Sequence, residues 1–97
     1  METFVFRYHV KPGSISKHLN VKEAWAIIWT LADNIENAEK KTLNYIAQNN
    51  WVVIASLEKS LISEAPSLPD KVNHMHYNKA QELGISMRLS TIPFPQK

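Results

Sequence analysis

Asp33-Asn34-Ile35-Glu36 constrains this chain more than any other stretch, because an Asp followed three residues later by a Glu is the reciprocal hydrogen-bonding signature of a helix start. A helix that begins here requires the preceding element to have ended. The run before it, Ala24 to Ala32, satisfies two periods at once. As a strand it puts Trp25, Ile27, Trp29 and Leu31 on one face and Ala24, Ala26, Ile28, Thr30 and Ala32 on the other; as a helix it aligns Val21, Trp25, Ile28, Ala32 and Ile35. The helical version needs a single helix from Val21 to Asn49 with Asp33, Asn34 and Asn37 in its interior, all poor helix formers. Residues 24 to 32 are therefore expected to be a strand.

The remaining elements follow from period and punctuation. Residues 3 to 11 alternate strictly, with Phe4, Phe6, Tyr8 and Val10 facing one way and Val5, Arg7, His9 and Lys11 the other, until Pro12-Gly13-Ser14 breaks the pattern and Ile15 to Asn20 reads as loop. From Ile35 to Gln48 the residues Ile35, Ala38, Thr42, Leu43, Tyr45 and Ile46 share one side of a helix, and Asn49-Asn50 is a plausible stop because Asn tolerates the left-handed conformation. Trp51-Val52-Val53-Ile54-Ala55 is apolar in both directions and predicts an interior strand. After a loop holding Pro66 and Pro69, a second helix is predicted from about Asp70 to Leu83, with Val72, Met75, His76, Ala80 and Leu83 inward and Gly84 as its stop. A last strand carries Ile85, Met87, Leu89 and Thr91 on one face and Ser86, Arg88 and Ser90 on the other, before Pro93 and Pro95 prevent further pairing.

The order is ββαβαβ, and 97 residues suit a single α+β domain spanning 1–97. Right-handed crossovers predict a two-layer sandwich, a four-stranded sheet with both helices on one face; a ferredoxin-like βαββαβ order is the alternative should residues 24 to 32 be helical. The second sheet face would then stay open, with Arg7, His9 and Arg88 at its flanks and Ala26, Ile28, Val52 and Ile54 nearer its middle.

Several kinds of chemistry are not encouraged by these residues. There is no cysteine for a disulfide framework, a thiolate nucleophile or a thiolate metal site. Gly13 and Gly84 are the sole glycines, so no Gly-rich phosphate cradle exists, and Ser14, Ser56, Ser60 and Ser63 stand in no nucleophile-elbow context. His74 and His76 are two apart, a spacing that diverges on a helix where chelating pairs use three or four, so no metal is expected. Glu23, Asp33, Glu58 and Glu64 cannot be placed well enough to pair as acid and base. The net charge is +2 and the cations are scattered, which argues against nucleic acid. Trp25, Trp29 and Trp51 read first as core material.

What these residues do encourage is binding. Arg7, His9 and Arg88 form a candidate cationic cluster for a carboxylate or phosphate, and an open face carrying Ile28 and Ile54 is the expected interface of a homodimer. The expectation is a non-enzymatic protein-binding module, dimeric, with no cofactor and possible contact to a second protein, an immunity-like or antitoxin-like inhibitor being one form. A small enzyme or ligand-binding domain, with Arg7, His9, His76 or Tyr77 lining a pocket, is the rival. The acid in Met1-Glu2-Thr3 and the shortness of the apolar runs point away from export or a membrane span, towards the cytoplasm.

Overall fold

A computed structural model of the protein describes residues 1–13, 21–62 and 71–93. Its elements run β1 (Glu2–Pro12), β2 (Val21–Ala32), α1 (Ile35–Gln48), β3 (Trp51–Ile62), α2 (Lys71–Leu83) and β4 (Ile85–Pro93), which is the ββαβαβ order expected, with residues 24 to 32 in a strand. The four strands form one sheet in the order β3-β1-β2-β4, and every neighbouring pair is antiparallel. The predicted loops at 15–20 and 63–69 lie outside the described residues.

The helix start falls one residue later than the Asp33 signature implies. Asn34 is the cap, extended at φ −152°, and its Oδ1 accepts from the Asn37 amide at 2.8 Å. At the other end the Asn49 amide donates to the carbonyls of Tyr45 and Ile46, and Asn50 takes the left-handed conformation at φ 63°. α2 stops in the same way at Gly84, with φ +88° and its amide bonded to the Ala80 carbonyl at 2.8 Å.

The sheet alternation assigns two faces. Phe4, Phe6, Tyr8 and Val10 of β1 lie beside Thr30, Ile28, Ala26 and Ala24 of β2, and Thr30, Ile28 and Ala26 lie beside Ile85, Met87 and Leu89 of β4. Against this first face packs α1, through Ala38 and Ile46, and a buried 2.7 Å hydrogen bond between the Thr30 and Thr42 hydroxyls fixes the helix to β2. Tyr8 is buried here with its hydroxyl unpaired, and burial, helped by the nearby Glu39 carboxylate, pushes its pKa up to about 12.

The helices do not share that face. α2 lies on the opposite side, where Ala80 packs on Val5 and Trp29, with Ile27, Ile62 and Tyr77 around them. The two-layer expectation is thus replaced by a three-layer arrangement, one helix on each side of the sheet. The physical reason lies in the strand directions. β2 and β3 are both antiparallel to β1, hence parallel to one another, and the handedness rule applies to the crossover between them. β3 and β4 are antiparallel and occupy opposite edges, so the rule is silent for α2, and the apolar row of Val5, Ile27 and Trp29 decides its side.

Three further expectations change with this. Ile28 and Ala26, placed on an open face by the sequence reading, are core residues under α1. Met75 and Leu83, read as inward, are exposed because α2 buries Ala80 and turns His76 and Tyr77 towards the sheet. β3, read as interior, is an edge strand: register shifts opposite Arg7/Tyr8 and His9/Val10 leave Leu57 and Ile54 as extra residues, and both are about half exposed.

Candidate functional site

α2 covers one end of the second sheet face, over Val5 and Trp29, and none of the described elements covers the other end. The register defines the rows there. Glu58, Arg7, Ile27 and Arg88 lie side by side across all four strands, and the next row holds Ala55, His9, Trp25 and Ser90. Arg7, His9 and Arg88, grouped from sequence alternation, therefore do share one face. Trp25 is 43% exposed beside them, and Val52 is exposed at the β3 edge.

The electrostatics of this surface are balanced, not cationic. Arg7 Nε lies 2.7 Å from Glu58 Oε2, its direct neighbour in the register, and His9 Nε2 lies 3.4 Å from Glu23 Oε2. That second separation brings the groups close without hydrogen-bond geometry, so His9 Nε2 remains a buried polar atom with no hydrogen-bond partner. The His9 ring rests against Trp25 at a centroid distance of 4.4 Å and a tilt of 32°. An anion entering here meets Glu23 and Glu58 along with the bases, which lowers the merit of the carboxylate- or phosphate-binding reading.

Under α2, His76, already read as inward, has a polar partner that sequence reasoning did not find. His76 Nδ1 is 2.7 Å from Ser86 Oγ, and the His76 ring stacks on Trp29 at 5.6 Å and 7°. A histidine against a serine invites a nucleophilic reading. The Ser86 residue is buried, however, and among the described residues the charged groups acting on His76 are the cations Lys79 and Arg88. No sequence signal pairs residues ten apart across a helix stop; only the three-dimensional face assignment does.

Burial, then Lys79 and Arg88, lower the His76 pKa from 6.5. The fold prefers the neutral ring, so the full stabilisation is present above about pH 6.5 and is lost as pH falls through the folded-state value, because the unfolded chain takes up the proton first. Thermal midpoints measured at pH 7.5 and pH 5 are expected to drop further for the wild-type chain than for His76→Gln. Equal drops would show that another group carries the titration.

The polar groups proposed for an enzyme pocket are separated. Tyr77 lines a cleft of about 320 Å³ with Met1, Thr3, Leu61, Ile62 and Gln81, while Arg7 and His9 lie at the other end of the sheet face and His76 lies under α2. A second cleft of about 330 Å³ lies between α1 and β4, bounded by Lys41, Asn44, Tyr45, Gln48 and Ile85. Among the described residues, no three of His, Asp and Glu converge as metal ligands; the His74 side chain lies outside them. No described helix is long and apolar enough to cross a membrane. Comparison with family models, curated proteins and solved structures gives no match for this chain.

Proposed function

We propose that this chain is a non-enzymatic protein-binding module that works as a homodimer in the cytoplasm, and that it recognises a second protein through the uncovered end of the sheet face opposite α1. The supporting observation is Trp25: a 43% exposed indole in the middle of a strand, packed on His9 and flanked by Ile27 and the Arg7–Glu58 pair. Exposed Trp and Arg beside apolar neighbours are the residue types that dominate binding energy at protein interfaces. The charges around Trp25 favour a protein surface of mixed sign over an anionic ligand or nucleic acid, since Arg7 and His9 each have an acid beside them.

The test is a capture experiment from the source-cell extract, with nuclease added, comparing wild type with Trp25→Ala. A partner held by the wild type is expected to be lost, at least tenfold, from a Trp25→Ala chain whose melting temperature is unchanged. A partner retained equally by both chains, or released by the nuclease, would overturn the assignment of this face.

A further inference from the structure

We infer that the second copy in the homodimer joins along the outer edge of β4, giving a sheet continuous through both chains. This rests on the homodimer reading above and adds to it a surface distinct from the Trp25 face.

The two edges of the sheet are built differently. β3 is interrupted twice, at Leu57 and Ile54, and carries Glu58 and Lys59 on its exposed stretch, with Lys59 paired to Glu39 of α1. Bulges and edge charges are the devices that keep a strand from pairing with another chain. β4 has no bulge over its regular part and little edge charge. Its register with β2 runs without a shift from Ile85 to Thr91, and Arg88 is its one charged residue there.

The pairing pattern tells which backbone groups are available. The Leu31 amide donates to the Gly84 carbonyl at 2.9 Å, continuing the register of Thr30 with Ile85. In an antiparallel pair, opposed residues alternate between exchanging bonds and pointing away. The Gly84 carbonyl and the backbone groups of Ser86, Arg88 and Ser90 therefore turn to β2, and Ile85, Met87 and Leu89 turn theirs outward, where no described strand lies.

A two-fold axis at Met87 makes this edge complementary to itself. Ile85 then stands opposite the second copy's Leu89, Met87 opposite Met87, and Arg88 opposite Ser86, so the one charge never meets its own image. The side chains agree with the backbone. Ile85, Met87 and Leu89 all project to the α1 face, where α1 packs mainly over β1, β2 and β3, and the three remain only partly buried. Ile85 borders the cleft beside α1, and the opposing Leu89 is seated at its mouth. Pairing joins two half-covered apolar rows into one.

Light scattering at high micromolar concentration, combined with amide hydrogen exchange, tests this. The wild type is expected at twice the 11.1 kDa chain mass, with the amides of Ile85, Met87 and Leu89 gaining at least tenfold protection as concentration rises. Leu89→Lys, which sets a charge against Ile85 of the second copy, should return the mass to that of one chain, and so should Met87→Pro, whose lost amide points outward, away from β2. Trp25→Ala should stay dimeric. If both β4 variants fail to fold, the concentration dependence of exchange in the wild type decides. A wild-type monomer rejects the homodimer reading and the edge together. A dimer that survives Leu89→Lys, or whose β4 amides stay unprotected, rejects the edge alone, and outward amides protected in a monomer show that the chain's own residues cover it.

Discussion

Replacing Ile28 with Lys is expected to abolish folding, and Ile28→Ala to cost about 3 kcal/mol, whereas Ile54→Lys should leave the melting temperature within a degree or two of wild type. Ile28 is fully buried in the core between the central strands and α1, beside Phe6 and Ala26, so an ammonium there has no water and no acid to meet. A domain of this size holds roughly 5–15 kcal/mol of net stability, which an unpaired buried charge exhausts. Ile54 is 45% exposed at a bulge on the edge strand, where a Lys stem can lie along the surface with its charge in water. Circular dichroism melts of the three variants make the comparison, and a folded Ile28→Lys chain would place residue 28 at the surface.

Trp29→Ala carries the second large effect, about 4 kcal/mol, and it should act unevenly on the two helices. Trp29 is 2% exposed and fills the space between the sheet and α2, touching Val5 and Ala80 and stacking on His76. The cluster beneath α2 is small, so losing its largest side chain removes much of what holds that helix. α1 is held by the larger cluster on the other face and by Thr42. Hydrogen exchange on the folded variant should show α2 amides opening far faster than those of α1. Equal acceleration of both helices would mean that the molecule opens only as a whole.

The order of elements was legible because each boundary has a local chemical marker in the sequence: Pro12-Gly13, the Asn34 region, Asn49-Asn50, Pro66 with Pro69, and Gly84. The side on which α2 packs was not. β2 is apolar in both directions, with Ile28 and Ala26 on one face and Ile27 and Trp29 on the other, and periodicity alone cannot rank two apolar faces. The candidate site divides in the same way. Strict alternation through β1 and β4 was enough to bring Arg7, His9 and Arg88 to one face. It could not show Glu58 beside Arg7, because two bulges together shift the register of β3 by two residues between Trp51 and Glu58, and a bulge leaves little trace in composition. For Ile54 the same shifts removed the residue from a regular face altogether.

The strand order also has a consequence for how the chain is made. The two central strands come first in sequence and α1 follows them directly, so residues 2–48 contain the middle of the sheet and the helix on its first face before any edge strand exists. During synthesis at about 5–20 residues per second, this portion spends on the order of seconds with both flanks of its hairpin open. β3 closes one flank through pairing with β1 and brings the bulges with it, and β4 arrives last. The nascent chain is therefore most vulnerable to pairing with a neighbour on the same message before Trp51–Ile62 has emerged, and the placement of the bulged, charged strand ahead of the smooth one shortens that interval on one side only.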